Sequence, residues 1–400
     1  MTASGDLLLF ESTMVKEYIS HSLLMMGILT MSTVKLVRSM TFLLRIISMA
    51  AGFLVPAYGL ASTATSNSAS GYAIFSPDLI AKLPSLRSTP TGATTIKKAD
   101  TYLSTVPKPM PRLHVRHLNE STEFHDQSNL AQQDWEAMMY LGLAYRISGD
   151  KHYLDADVRY FGAWAEVFKP GFADLDPIDQ AQTDQLMMAY DLVRDSLPAP
   201  IVTEMNTLCR SLAEGYMQWS STSGLNNNLE SHAVELAVLA SYETNDPELE
   251  KRAAKLFLKQ VSKNVEKDGS VVDWHLRDAL LYVDFDLKPL TTGALSAHFH
   301  GVDWLHEGGK KSIAHAAEWL IPYAVGEQQH IEFVHTTLGG DKSHKREVWK
   351  PSKNSQDILG MAALMDPTFE SAFQQSMRVA KYPPGILVEV MSAIEPQPTH

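Results

Sequence analysis

"NLAQQDWEAMMYLGLAYRISGD", Asn129 to Asp150, decides the fold class. Trp135, Met138, Met139, Leu141, Leu143 and Ala144 fall on one broad apolar face at a period of 3.6 residues, and Gly149-Asp150 is a helix stop. The pattern recurs down the chain. "KHYLDADVRYFGAWAEVF" stops at Pro170-Gly171, and "DQAQTDQLMMAYDLVRDSL", "PIVTEMNTLCRSLAEGYMQW", "HAVELAVLASYE" and "PELEKRAAKLFLKQVSKNV" follow. Then come "LRDALLYVDFDLKPLTTGALSA", "KKSIAHAAEWLIPYAV" and "SQDILGMAALMDPTFESAFQQSM". No strong period-two alternation interrupts them. Helices of this length, joined by short Gly/Pro/Asp loops, pair antiparallel. The expectation is an all-α chain, an (α/α) toroid (an incomplete α/α barrel) or an irregular helical array. No fixed repeat length appears, which argues against a solenoid.

The bulk composition narrows the partners. The chain has 400 residues, 45% hydrophobic and 20% charged, with a net charge of -12. An acidic surface does not suit nucleic acid, whose phosphates need basic neutralisation. It leaves room for an anionic substrate in a small basic cleft. Cys209 is the single cysteine, so no intrachain disulfide and no Cys-rich zinc site form, and the thiol reads as packing.

Residues 1–62 differ from the rest. From Met40, "MTFLLRIISMAAGFLVPAYGLASTATSNSASG" runs from apolar to Ser/Thr/Ala-rich, behind Lys35 and Arg38, with "YGLASTA" as a cleavage site. That is the layout of a secretory signal, and the expectation for residues 1–62 is a signal peptide or a mis-assigned leader in which Met40 would be the start. Pro56 and Gly52 interrupt the run as a membrane anchor. The expectation is a secreted or periplasmic protein with no stable membrane association after export. Asn119-Glu120-Ser121 is a glycosylation sequon. Residues 63–400 form the single catalytic domain, whose Ser/Thr/Pro-rich start, to about Pro111, wraps the helices.

Three clusters could carry chemistry. In "GLNNNLESHAVELAVLASYETND", Asn226, Asn227 and Asn228 stand at a helix mouth and His232 follows. One Asn suffices as a cap. Three, with a histidine one turn in, also suit an acidic sugar, with Asn228 as the cap and Asn226 or Asn227 facing the sugar. "DGSVVDWHLRDALLYVDFDLKPL" packs Asp273, His275, Arg277, Asp278, Tyr282, Asp284 and Asp286 together. It reads either as an ordinary amphipathic helix or as a cation beside a proton-carrying tyrosine. On a straight helix Arg277 and Tyr282 are ~140° apart, so they meet only near a helix end or bend. "HFHGVDWLHEGG" holds His298, His300 and His306, but the spacing lacks metal-site logic and reads better as sugar-shaping histidines. No nucleophile elbow, P-loop or dinucleotide turn occurs.

Together "NNNLESH" and "RDALLYVDFDLKPL" resemble the alginate-lyase superfamily of polysaccharide lyases, most closely the glucuronan lyase branch (polysaccharide lyase family 38). "DLDPIDQAQTDQLMMAYDLV" and "HIEFVHTTLGGDKSHKREVWKP" follow that branch's spacing, and the likeness spans roughly Trp135 to Pro367. The resemblance implies a toroid, an anionic polysaccharide substrate, and β-elimination with no cofactor and no metal. Asn227, His232 and Arg277 would neutralise the uronate carboxylate, and Tyr282 would act as base and acid. Asn226, His275, His298 and His300 would bind substrate. The chain departs from the pattern where Asn228 replaces a His or Trp, and where Phe285 replaces a second tyrosine. An inactive carbohydrate-binding relative and a carboxylate-based glycoside hydrolase are the alternatives.

Overall fold

The computed structural model describes residues 71–116 and 121–395. The signal-like segment, its cleavage site and Asn119-Glu120 of the sequon lie outside the described residues. Among the described residues fourteen α-helices follow in order: α1 (Pro77–Lys82), α2 (Pro90–Asp100), α3 (Thr122–Ser148), α4 (Lys151–Val167), α5 (Thr183–Val193), α6 (Ala199–Ser223) and α7 (Asn228–Thr244). The chain continues through α8 (Pro247–Asn264), α9 (Val272–Arg277), α10 (Leu280–Phe299), α11 (Ile313–Ala324), α12 (Lys353–Met365), α13 (Glu370–Val379) and α14 (Ile386–Ile394). Among the described residues there is no strand, only the isolated bridges Val265–Val271 and Ile331–Val348. None of these helices is long and apolar enough to cross a membrane.

Local chemistry sets the boundaries. Pro77, Pro90 and Pro247 sit in first turns, where a missing N–H costs nothing. Asp150 and Asp246 cap the helices that follow them, accepting from His152 N and from Glu248 and Leu249 N. Gly149 and Gly224 take left-handed φ of 72° and 68° at the ends of α3 and α6, as a C-cap requires.

Helices α3, α5, α7, α10 and α12 pack in succession. Helix α14 packs on α12 and on α2, and α2 packs on α3, which closes the ring. Helices α4, α6, α8 and α13 lie outside it. This is the expected (α/α) toroid. The inner helices are covered on both sides, so α7 is buried almost throughout, from Glu230 to Glu243. Residues 71–75 are pinned to the ring: Ala73, Ile74 and Phe75 each donate a backbone N–H to the Asp191 carboxylate, at 2.8 Å.

One helix expected from sequence is two. The segment around Arg277 breaks at Asp278, which adopts a left-handed φ of 51°, so α9 ends at Arg277 and α10 starts at Leu280. The candidate site is built around this break.

Candidate active site

The asparagine run opens α7. Asn227 is the N-cap residue, yet its side chain makes no capping bond. Asn228 is already in the helix. Its backbone N and its Nδ2 donate to Asp273 Oδ2, at 2.7 and 2.9 Å. The expectation of Asn228 as a cap is therefore corrected: an aspartate from α9 does the capping, and Asn228 is held by it.

The other oxygen of Asp273 accepts from Arg277 Nε at 2.9 Å, and Arg277 Nη1 donates to both carboxylate oxygens of Asp341 at 3.0 and 3.1 Å. One guanidinium thus serves two buried carboxylates, and these bonds fix its place beside the cleft. Its guanidinium carbon lies 3.8 Å from the centroid of the Tyr282 ring. The left-handed turn at Asp278 brings together two residues that a straight helix would hold apart.

The loop 330–349 covers this corner. Glu332 accepts from Leu280 N and Leu281 N at 2.8 and 2.9 Å, capping α10. Phe333 N donates to Asp278 O at 2.8 Å and His335 N to Asp278 Oδ2 at 2.6 Å. Phe333 has a φ of 63°, a strained value for an aromatic residue, and its ring packs edge-on to Tyr282 with centroids 6.2 Å apart.

Helix α10 is buried from Leu280 to Ala297 except at Leu281, Tyr282, Phe285 and Lys288. These positions make one stripe at helical spacing, facing open space. His232 of α7 lies beside the middle of the stripe, its ring centroid 4.6 Å from that of Phe285. His232 is buried, and no side chain of the described residues is hydrogen-bonded to its ring. Glu235 Oε2 is 3.5 Å from Nδ1. Pro289 has no N–H to give the Phe285 carbonyl one turn back, and that carbonyl faces the imidazole. Burial, and then the charge of Lys288, push His232 down to about 3, so the ring is neutral near pH 7. Burial pushes Glu235 up to about 8 and Asp184 up to about 6, against the pull of Lys288. Asn227 Oδ1 is likewise buried without a partner.

At its lower end the stripe enters a cavity of about 440 Å³, lined by α3, α5, α10, α12 and residues 385–388. Among the described residues no group of three or more His, Cys, Asp or Glu side chains is arranged to hold a metal ion.

The chain as a whole has counterparts among known proteins. The family model described as alginate lyase matches residues 82–330, well over half of the chain. The chain belongs to the alginate lyase family. It is a polysaccharide lyase. No curated protein matches it in sequence. Its fold resembles that of an alginate lyase from Bacteroides ovatus, with 16% identity over 81% of this chain and 99% of that one, and a TM-score of 0.59. It also resembles alginate lyase A1-III from Sphingomonas species A1, with 15% identity, 78% and 96% coverage, and a TM-score of 0.54. A variant of that enzyme complexed with a tetrasaccharide gives a TM-score of 0.52 at the same identity and coverage. At these identities the likeness shows the fold.

Within this alginate lyase fold the remaining expected site residues divide. Asn226 is half-buried beside Asn227. His275 is exposed, and its Nε2 lies 2.7 Å from Ser270 Oγ. Two residues from both Asp273 and Arg277, it projects from the opposite side of α9. His298 and His300 stand apart from the Arg277–Tyr282 corner. They lie 16 and 18 residues beyond Tyr282 on and just past α10, roughly 24–27 Å away at 1.5 Å per residue. His300 is stacked between Tyr72 and Tyr242, with centroids 4.1 and 3.8 Å away, and its Nε2 is 3.0 Å from Tyr72 O. It anchors the start of the domain.

Glu235, Lys288 and Asp341 were missed by sequence reading. Glu235 carried a signal: it is a carboxylate three residues after His232 in an otherwise apolar run. Lys288 also carried one, as the sole cation between Arg277 and His298.

Proposed function

We propose that this lyase cleaves a polyuronate, glucuronan before alginate, by β-elimination in the cleft along the half-buried stripe of α10. The observation that carries this reading is a pair of buried polar groups on the NNNLESH segment, the Asn227 carboxamide oxygen, which has no hydrogen-bond partner, and the His232 imidazole beside that stripe, to which no side chain of the described residues is hydrogen-bonded. Buried polar groups are normally paired, and an unpaired one in a cleft awaits a ligand. A uronate supplies hydroxyls and a carboxylate to both.

Tyr282 is the proton carrier. The C5–H bond breaks and its electron pair forms the C4=C5 double bond; the C4–O4 bond breaks, and O4 leaves with a proton. As phenolate, beside the Arg277 guanidinium, Tyr282 takes the C5 proton, and the phenol so formed hands it to the departing O4. Phe285 has no hydroxyl, so Tyr282 is the phenol on the stripe. Neutral His232 offers one N–H donor and one lone pair, and Asn227 an amide; both orient and polarise the uronate carboxyl group. Arg277 acts as a positioning residue: its guanidinium is fixed by Asp273 and Asp341 and holds the Tyr282 ring by cation–π contact. Since protein groups polarise the carboxyl group, turnover survives chelation of metals. The basic and apolar stretch from Lys35 to Pro56 supports export, which N-terminal sequencing of the protein recovered outside the cytoplasm tests.

The deciding experiment incubates the purified protein with glucuronan, polymannuronate and polyguluronate and follows the ultraviolet absorbance of the unsaturated product. A rise on glucuronan ahead of the others is expected. No rise on any of them removes the reading, and new reducing ends without that absorbance point to hydrolysis.

A further inference from the structure

We infer that the cavity beneath the stripe is a separate uronate subsite, in which Lys288 receives the carboxylate of a neighbouring sugar in the bound chain. The inference rests on the polyuronate reading above. Lys288 and Thr292 form its α10 wall. Lys288 is two turns below Tyr282, roughly 9 Å along the axis, so it serves a sugar next to the one being cleaved.

The cation is unclaimed. Elsewhere in the molecule buried cations close onto their carboxylates: Arg194 lies 3.0 Å from Glu243, and Arg277 lies 3.0 Å from Asp341. Lys288 makes neither an ion pair nor a hydrogen bond through its ammonium with the described residues. Asp184, Glu235 and Asp357 nonetheless surround it. Burial works against its charge, and those three carboxyl groups outweigh that and hold its pKa above the ordinary value. A lysine present only to balance those carboxylates would touch them. This one is held charged and pointed into a cavity.

Part of the remaining lining suits a sugar ring, beside the carboxyl groups of Glu136, Asp184 and Asp357. Gln133 and Gln185 offer carboxamides that bond to none of the described residues, and Tyr140 offers a half-buried ring. Lys353 stands exposed at the rim as a second cation. A cavity of about 440 Å³ falls within the ordinary size range of ligand sites. Carboxamides and one aromatic for hydroxyls and ring, with a fixed ammonium for the charge, recognise a hexuronate rather than a neutral hexose.

The test compares a uronate tetrasaccharide with its carboxyl-reduced, neutral counterpart, by calorimetric binding and by turnover, on the full protein. The wild type should bind the charged form about ten-fold or more tighter, the range of one charge-assisted hydrogen bond. Lys288→Met should raise KM for the charged form by about the same factor, with kcat within about two-fold, and leave binding of the neutral form unchanged. Lys288→Arg should restore most of the affinity. If Lys288→Met does not fold, the wild-type preference for charge and the Lys288→Arg value still decide. Unchanged KM in Lys288→Met, or equal loss for both ligands, overturns the subsite while leaving the lyase reading intact. A wild type that neither binds nor cleaves polyuronate overturns both.

Discussion

Tyr282 presents its phenol on the α10 stripe, held between the Arg277 guanidinium and the edge of Phe333. Removing its hydroxyl leaves the packing intact, so Tyr282→Phe should keep the fold and lower turnover by about 10²–10⁴-fold, the usual worth of a positioned acid or base. Circular dichroism checks the first half and appearance of unsaturated product the second; normal turnover would place the proton transfer elsewhere. Arg277 makes a sharper test, because its two proposed roles separate kinetically. As a neutraliser of substrate charge it would act on KM. As the group that positions Tyr282 it acts on kcat, so Arg277→Lys, which loses the planar fork and the stacking, should lower kcat with KM changed less than about three-fold. A KM effect alone would return Arg277 to the substrate.

At the scale of elements, Asp273 joins the two halves of the sequence signature. It receives the backbone and side-chain amides of Asn228 at the head of α7 and the Nε of Arg277 at the end of α9. Asp273→Ala leaves those amides and a buried guanidinium short of a partner, and should destabilise the protein by about 3–5 kcal/mol in urea unfolding. A loss below about 1 kcal/mol would show that water or Asp341 replaces it. Both halves were legible in the chain, NNNLESH from its polar run and the Arg277–Tyr282 stretch from its charge density. The way they meet was not. Leu276, Ala279, Leu280, Val283, Leu287 and Leu290 continue one apolar period straight through Asp278, so sequence reads a single helix. The left-handed turn is fixed from outside: the Asp278 carbonyl accepts from Phe333 N, and its carboxylate from His335 N, more than fifty residues away. Arg277 looked like a free cation for the same reason, its partner Asp341 being 64 residues on. Histidines near in sequence end far from the Arg277–Tyr282 corner. A helix with a rise of 1.5 Å per residue carries His298 and His300 to the far end of the toroid.

Across the whole molecule, a two-layer toroid with its site on the inner ring must bury ionisable groups, and the titration of those groups reaches the stability of the fold. The ring itself was legible, because its helices carry apolar periods of ordinary length. The protonation pattern was not, since it depends on which faces the ring encloses. Burial pushes Glu235 and Asp284 up to about 8, Glu332 to about 7 and Asp184 to about 6. In the unfolded chain these carboxyl groups lose their protons near pH 4. From about pH 4 to pH 8 the folded protein therefore holds protons that the unfolded chain has released, and stability falls as pH rises. His232 acts the other way. Held down to about 3, it weakens the fold only where the unfolded ring becomes charged, below about pH 6.5. Between about pH 6.5 and 8 the carboxyl groups are joined by His306, in which burial is outweighed by Asp303 and Asp366 and the pKa is raised, and both push the same way, so Tm should fall steadily over that interval. Glu235→Gln, neutral at every pH, should flatten part of the slope, because it removes one proton from the folded state's excess. Calorimetric scans of both proteins across the interval check this. A Tm that is level or rising from pH 6.5 to 8 would mean that these carboxyl groups are ionised in the fold, and that the cleft carries more negative charge than its burial permits.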